Sequence, residues 1–189
     1  MAERLVIGMS GASGAPLTIE LLQQLRRRPE IETHLVATRG AELTLASETD
    51  ISLDELKEYA SVWHPIDEIG DSIASGSFRT RGMIVIPCSM KTVAGIVSGY
   101  SDNLLLRAAD VTLKERRKLV LAARESPLST VHLRNLYEAS RLGAVIIPPM
   151  LTYYRRQTGI AEMTACTVQR ILAQFDLDDE NYEWNGIRE

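Results

Sequence analysis

The sequence predicts an α/β fold of three layers, with a mostly parallel β-sheet between helices on both faces. Short apolar runs rich in β-branched residues alternate along the chain with segments whose apolar residues recur at helical spacing. The runs are apolar at nearly every position, which is typical of parallel strands buried on both sides. With 189 residues and 45% apolar composition, the chain can bury one sizeable core. We therefore expect a single Rossmann-like or flavodoxin-like domain.

The first half of the chain predicts two strands, each followed by a helix. Residues 5–9 form the first apolar run, and leucines at helical spacing predict a helix over 16–28. Residues 32–38 predict the second strand, and 39–46 predict a short helix. Ser52 is expected to begin another helix, because a glutamate three residues later completes a capping box.

The second half continues the alternation and ends in a polar segment. The predicted strands are residues 83–86, 118–122 and 144–147, and the predicted helices are residues 103–115, 130–142 and 160–175. Pro87 is expected to end the first of these strands. We expect one domain over 1–175, followed by a polar C-terminal tail over 176–189.

Composition and charge exclude several classes of function. The net charge of −4 predicts no general attraction to nucleic acid or to an anionic membrane. No apolar run reaches about 18 residues and no signal peptide is evident, so a reducing cytoplasm is the expected compartment. Cys88 and Cys166 are far apart, and His34, His64 and His132 have no ligand spacing. We predict no disulfide framework and no metal.

The loop after the first strand is the first candidate binding element. In an open α/β sheet, ligands bind beyond the carboxyl ends of the strands. Gly8, Gly11 and Gly14 stand there in a G-x-x-G-x-x-G spacing, which differs from the dinucleotide G-x-G-x-x-G, and a Walker lysine is absent. The second strand ends in Thr38-Arg39, without an acid for a ribose hydroxyl. A phosphate or flavin site and a plain tight turn both remain open.

Other strand ends also carry polar residues, each with two interpretations. The turn at 87–92 is either a helix cap built on Ser89 or a second set of donors to a cofactor. Arg124 beside Glu125 is either a phosphate and proton site or a surface ion pair. Ser13 lies in a near match to a nucleophile elbow, but its second glycine is lost and no triad is evident. These residues together predict a phosphorylated ligand, bound without metal or NAD.

Taken in order, these segments resemble the UbiX/Pad family of flavin prenyltransferases. The matching segments are residues 8–15, 32–36, 48–50, 75–78, 87–92, 107–110, 113–116, 124–128, 132–133 and 143–146. The strings Ser-Gly-Ser-Phe at 75–78 and Pro-Cys-Ser-Met-Lys-Thr at 87–92 are similar to the subgroup encoded beside phenolic-acid decarboxylases.

The resemblance implies a flavodoxin-like subunit that binds FMN at a subunit interface, typically in a homododecamer. The implied reaction is metal-independent and transfers a dimethylallyl group from dimethylallyl phosphate to reduced FMN. The prenylated FMN would then serve a UbiD-type decarboxylase. Flavin supplies the nucleophile in such a reaction, so no Ser/His or Cys/His pair is needed.

The resemblance also assigns roles by position. It places FMN on a set of loop residues, namely Gly11, Ala12, Ser13, Thr38, Ser89, Met90, Lys91, Thr92 and Arg124. Lys114, Tyr154 and Arg170 would hold the prenyl phosphate, with Arg107 close by. Glu48 and Glu125 are the acids expected to handle protons.

One segment departs from the family pattern. Where the family usually has Pro-x-Phe-Tyr-(His/Asn)-x-Pro, this chain keeps Tyr154 but follows it with Arg155 and Arg156. Two alternatives follow from the resemblance. One is a non-catalytic FMN carrier, and the other is an FMN-dependent cysteine-type decarboxylase, which would use an early histidine and a Pro-Ala-Ser-Ala-Asn-Thr-like turn.

Overall fold

The sheet has six strands, all of them parallel, in the order β3-β2-β1-β4-β5-β6. A computed structural model describes residues 2–179 and Gly186 of the chain. The strands are β1 Glu3–Met9, β2 Ile31–Ala37, β3 Val62–His64, β4 Gly82–Cys88, β5 Lys118–Ala123 and β6 Val145–Ile146. The predicted parallel sheet is confirmed.

Helices cover both faces of the sheet, which confirms the predicted three layers. The helices are α1 Ala15–Arg26, α2 Arg39–Glu48, α3 Leu53–Lys57, α4 Met90–Ser98, α5 Leu104–Lys114, α6 Thr130–Arg141 and α7 Ile160–Leu172. α1, α2, α3 and α7 contribute to the core on one face. α4, α5 and α6 contribute to the core on the other. The capping box of α3 forms as predicted, between Ser52 and Glu55.

Two strands differ from the sequence prediction. β4 does not end at Pro87 but continues through it to Cys88, so that prediction is wrong. The ladder between β4 and β5 shifts register between Val85 and Cys88, and a proline is tolerated at such an irregularity because the missing N–H costs no ladder bond. The edge strand β3 was missed, since its three residues contain no apolar run.

The chain beyond α7 stays attached to the domain for several residues. The predicted helix over 160–175 ends at Leu172 and finishes in a 3-10 turn, Ala173–Phe175. Leu177 then packs into the core at 4% exposure. Residues 180–185 and 187–189 of the predicted tail lie outside the described residues. Over the described part of the chain, no helix combines the length and apolarity that crossing a membrane requires.

Candidate functional site

A cavity of about 490 Å³ opens at the carboxyl edge of the sheet, where the sequence predicted the ligand. Three of the predicted residues line it: Ser13 from the loop after β1, Glu48 from the end of α2, and Arg124 from the segment after β5. The other lining residues are Gly14, Pro16, Leu17, Pro149, Met150, Leu151, Ile160, Met163, Thr164 and Thr167. The fold therefore brings a polar edge and an apolar wall together around one space.

The carboxylate of Glu48 caps the start of α1. Its Oε2 accepts the backbone N–H groups of Gly14 and Ala15, each at 2.8 Å. Partial burial raises the pKa of Glu48, but hydrogen bonds from Ser13, Gly14 and Ala15 and the charge of Arg124 outweigh it, so the pKa lies below its ordinary value. Glu48 is therefore ionised, and the anion at this helix N-terminus belongs to the protein itself.

The loop that carries Ser13 depends on glycine at two positions. A Cβ on Gly11 would lie 2.8 Å from the carbonyl carbon of Gly40, so the loop can only pack this closely against the start of α2 without a side chain there. Gly14, the N-cap of α1, has a φ of 126°, which L side chains rarely adopt. Thr38 caps α2 by accepting the amide of Ala41 at 3.2 Å. The predicted residues Gly11 and Thr38 thus hold the loop after β1 and the start of α2 in close contact beside the cavity.

A second polar loop lies beside the first, at the start of α4. The Ser10 hydroxyl donates to the carbonyl of Pro87 at 3.0 Å and accepts the amide of Ser89 at 2.8 Å, which ties the two loops together. Ser89 Oγ in turn accepts the amide of Thr92 at 3.3 Å. Thr92 is buried, whereas the ammonium-bearing Lys91 is exposed. The predicted helix cap on Ser89 is present, and it leaves the first turn of α4 facing this edge of the sheet.

The segment after β5 forms the rim next to α4. The Arg124 amide donates to the carbonyl of Cys88 at 3.0 Å, and both Arg124 and Glu125 are exposed. The Glu125 carboxylate accepts the amide of Ser126 at 3.0 Å. Complete burial raises the pKa of the Cys88 thiol far above its ordinary value. Cys88 is therefore a packing residue rather than a nucleophile.

The apolar wall of the cavity was not among the predicted site residues. Its α7 members, Ile160, Met163, Thr164 and Thr167, stand at positions i, i+3, i+4 and i+7, so they share one face of the helix. This spacing is visible in the sequence, but it also fits a helix packed on the core. Only the packing of α7 beside α1 assigns that face to the cavity.

Two of the predicted phosphate-binding residues, Lys114 and Arg107, do not line the cavity of their own subunit. Lys114 is the last residue of α5, four positions before β5 begins, so it lies at the amino edge of the sheet. Strands of about seven residues, such as β1, separate the two edges by about 20 Å. Lys114 forms an ion pair with Glu115 there. Arg107 donates to the carbonyl of Ala74 at 3.2 Å and to Asp110 at 2.7 Å.

Tyr154 and Arg170 lie near the cavity but are not among its lining residues. Tyr154 belongs to an exposed 3-10 turn, Tyr153–Arg155, and the Arg155 guanidinium lies 6.0 Å from its ring centroid. Arg155 also lines a separate groove, whose α7 residues together form the helix face turned away from the cavity; they are Glu162, Ala165, Cys166 and Gln169. Arg170 is exposed, one helical turn beyond Thr167. Among the described residues, no cluster of three or more His, Cys, Asp or Glu residues could hold a metal ion.

Comparison with known proteins gives matches over nearly the whole chain. Residues 1–174 match the family described as Flavoprotein. The chain is 51% identical over 187 residues to a probable UbiX-like flavin prenyltransferase of Sedimentibacter hydroxybenzoicus, and the match covers 98% of this chain and 99% of that one.

Two solved structures are similar to this one in both fold and sequence. One is AnUbiX (PadA1) in complex with FMN and dimethylallyl pyrophosphate, with a TM-score of 0.95, 48% identity and 100% coverage of both chains. The other is a dodecameric FMN-dependent UbiX-like decarboxylase from Escherichia coli O157:H7, with a TM-score of 0.94 and 48% identity over 97% of this chain and 100% of that one. The chain therefore belongs to the Flavoprotein family and, within it, to the UbiX-type flavin prenyltransferases.

Proposed function

We propose that this protein transfers a dimethylallyl group from dimethylallyl phosphate to reduced FMN, in the cytoplasm, and that the prenylated FMN serves a UbiD-type decarboxylase. One observation carries the proposal: the ionised Glu48, the hydroxyl of Ser13 and the guanidinium of Arg124 meet an apolar wall in one cavity. A relative that is 48% identical over its whole length binds FMN and dimethylallyl pyrophosphate.

The two loops at the carboxyl edge fit a flavin nucleotide. Because Glu48 already occupies the amides at the start of α1, the start of α4 is the better place for the FMN phosphate. Ser89, Met90, Lys91 and Thr92 supply backbone amides, hydroxyls and an exposed ammonium group there. Gly11 and Ser13 are exposed in the loop after β1, and we assign this loop to contact with the flavin ring. Thr38 and Arg124 would complete the binding site from either side.

The cavity residues suit the transfer of a carbocation-like group. Reduced FMN supplies the nucleophile when it is bound. Leu17 and Met163 keep one side of the cavity apolar, which limits the water that could hydrolyse an allylic cation. The ionised Glu48 can stabilise positive charge and accept a proton, but it cannot act as the acid. Glu125, next to Arg124 in the chain, is the second acid that the resemblance implies, and we assign proton transfer at the leaving phosphate to it.

The basic residues for the prenyl phosphate require more than one copy of the chain. Tyr154 follows the lining residue Leu151 by three positions and Arg170 follows Thr167 by one helical turn, so we assign both to the cavity of their own subunit. Lys114 lies at the far edge of the sheet, about 20 Å away, and α5 is fixed in the core. We assign Lys114 and Arg107 to the cavity of a neighbouring subunit. A homododecamer, as in the relative from Escherichia coli O157:H7, supplies such neighbours.

The two alternatives fit the site less well. A cysteine-type decarboxylase would need an early histidine, but no histidine precedes His34 in the sequence. His34 is buried against His64 and Glu32 rather than placed at the cavity. A non-catalytic FMN carrier could use Glu48 as a helix cap, but it would have no need of an apolar wall that limits water at the cavity. The retained Glu48 and Glu125 favour the transferase.

The decisive experiment is an anaerobic incubation of the protein with reduced FMN and dimethylallyl phosphate, followed by mass spectrometry of the released flavin. We expect a gain of one five-carbon prenyl unit that depends on the protein. Unmodified flavin, with both the monophosphate and the diphosphate donor and with the protein saturated in FMN, would contradict the proposal and favour the carrier.

A further inference from the structure

Four ionisable side chains form a continuous series of hydrogen bonds at the β2-β3 edge of the sheet, and none of them lines the cavity. His34 is hydrogen-bonded through Nε2 to Glu32 at 2.8 Å and through Nδ1 to His64 Nε2 at 2.8 Å. His64 Nδ1 is hydrogen-bonded to Asp71 at 2.7 Å. The two imidazoles are only 3% and 2% exposed. We call these four residues the histidine chain. Buried polar groups destabilise a core unless they are bonded, and a fully bonded series fixes its members in one arrangement.

The histidine chain fastens the following segment, residues 71–78, to the sheet. Residues 65–70 form no helix or strand, and the bond from His64 to Asp71 closes this loop. Asp71 is also the N-cap of the 3-10 turn Ser72–Ala74, where its second oxygen accepts the Ser72 amide. The Phe78 ring at the end of the segment packs edge-on against His34, with 5.2 Å between the ring centroids. The position of the turn Ser72–Ala74 therefore depends on the histidine chain.

The turn Ser72–Ala74 holds the guanidinium of Arg107. Arg107 Nε donates to the carbonyl of Ala74 at 3.2 Å, and Nη1 donates to Asp110, three positions along α5, at 2.7 Å. Its remaining terminal nitrogen, Nη2, has no partner in the part of the chain that the structure describes, and the side chain is 35% exposed. A guanidinium that is fixed on one side and open on the other is suited to binding a phosphate.

The same segment also lies against Lys114. A Cβ on Gly76 would be 2.7 Å from Lys114 Nζ, so the backbone passes close beside the ammonium group. Arg117 donates to the carbonyls of Gly76 at 2.6 Å and Phe78 at 2.9 Å, which fixes this backbone next to the start of β5. Segment 71–78 is therefore in contact with both basic residues that we assign to the prenyl phosphate in a neighbouring subunit.

We infer that the histidine chain positions Arg107 for the prenyl phosphate, because Asp71 sets the turn whose last carbonyl orients the guanidinium. His64 and Asp71 are positioning residues, which act through Arg107 rather than by contact with the donor. The inference rests on the proposed function in one respect, namely that Arg107 binds the prenyl phosphate. A merely structural role gives a different expectation: losing a bond of the histidine chain would lower the free energy of unfolding and leave the affinity for the donor unchanged.

The test uses variants of Asp71, whose side chain is 30% exposed, so that its replacement opens no large cavity. Asp71→Ser keeps a residue type that caps helices but is too short to reach His64. Asp71→Asn keeps the series of bonds complete, because its amide can donate to His64, which in turn donates to His34. Asp67→Ser is the matched control, since Asp67 is exposed in the same loop and its side chain has no partner among the described residues.

The Michaelis constant for dimethylallyl phosphate and kcat are measured at saturating reduced FMN, and circular dichroism and native mass spectrometry verify fold and assembly. We expect Asp71→Ser to raise the Michaelis constant about tenfold, with kcat and FMN affinity nearly unchanged. Asp71→Asn and Asp67→Ser should stay close to the wild type. Arg107→Ala should raise the Michaelis constant at least as much as Asp71→Ser does. Adding Asp71→Ser to Arg107→Ala should have no further effect, because Asp71 acts through Arg107.

Several outcomes would overturn the inference. They are an unchanged Michaelis constant in Asp71→Ser or in Arg107→Ala, independent effects of these two changes, and an Asp71→Asn variant as impaired as Asp71→Ser. An Asp71→Ser variant that no longer folds or assembles would show a structural role instead. Failure of the proposed function is separate, because the wild type itself would then not prenylate FMN.

Discussion

The Oε2 atom of Glu48 lies 2.8 Å from the amide nitrogen of Gly14, which closes the N-terminus of α1 with a carboxylate from the end of α2. The sequence places these residues 34 positions apart. The contact does two things at once: it fixes the glycine loop, and it keeps Glu48 ionised at the cavity. A position that the family resemblance assigned to proton handling is thus also structural.

Glu48→Gln should separate these two roles. Glutamine keeps an oxygen that can accept the amides of Gly14 and Ala15, but it removes the charge. We expect the rate of prenyl transfer to fall about 100-fold or more, with FMN affinity changed only a few-fold. Single-turnover mass spectrometry at saturating FMN measures the rate. Glu42→Gln, at an exposed glutamate in the same helix, is the control and should keep full turnover.

Gly11→Ala tests the close packing of the binding loop. The added Cβ would lie 2.8 Å from the backbone of Gly40, so either the loop or the start of α2 must shift. We expect FMN to bind about tenfold more weakly, since a loss of about 1.4 kcal/mol corresponds to that factor. Titration of flavin fluorescence measures the affinity. Gly70→Ala has open space around it and should bind like the wild type; equal losses in both variants would contradict the prediction.

Much of the fold followed from the sequence because buried parallel strands are apolar at nearly every position. β1 and β5 are such strands, and both were predicted within two residues of their ends. β3 could not be found this way, because His64 at its end is held by a hydrogen bond of 2.8 Å to His34 rather than by apolar burial. Local periodicity carries no information about a pairing made by two polar side chains.

The candidate site, like the fold, was predicted only in part from the sequence. Ser13 and Arg124 were predicted because each follows a predicted strand, and parallel strands all end at one edge of the sheet. The wall formed by Met163 was missed, since its helical spacing is the same whether the helix faces core or cavity. The distance between Lys114 and the cavity depends on tertiary topology, so the spacing of motifs in the sequence could not predict it.

The buried histidine pair predicts acid sensitivity. His34 is hydrogen-bonded to His64 at 2.8 Å and to Glu32 at 2.8 Å, and it also packs near Arg4 and Phe78. Burial lowers the pKa of His34 below 6.5, despite the opposing bond to Glu32. The unfolded chain therefore binds a proton more readily, so the free energy of unfolding should decrease as the pH falls below about 6.5.

A carboxylate on the same chain of hydrogen bonds acts in the same direction at lower pH. Asp71 accepts a bond from His64 at 2.7 Å. Burial raises the pKa of Asp71, but this bond and the bond from Ser72 leave the pKa below 3.8. The contribution of Asp71 to the free energy of unfolding is therefore lost only at a lower pH than that of His34. Urea unfolding between about pH 7.5 and 5, at fixed protein concentration, measures the His34 effect. A flat or rising unfolding free energy over that range would contradict it.

Mixed assemblies test whether Lys114 acts in a neighbouring subunit. Lys114→Ala and Glu48→Gln should each abolish most turnover when assembled alone. If the cavity takes Glu48 from one copy and Lys114 from another, random co-assembly restores both residues in roughly a quarter of the sites, and activity returns to that level. If both act within one chain, every site keeps one defect and the mixture stays inactive.

The two variants are dissociated and reassembled together, and native mass spectrometry verifies that they have mixed. Prenylated FMN is then quantified against wild type carried through the same steps. Separately reassembled variants pooled afterwards should remain inactive, and recovery in that pool would show that assembly does not matter.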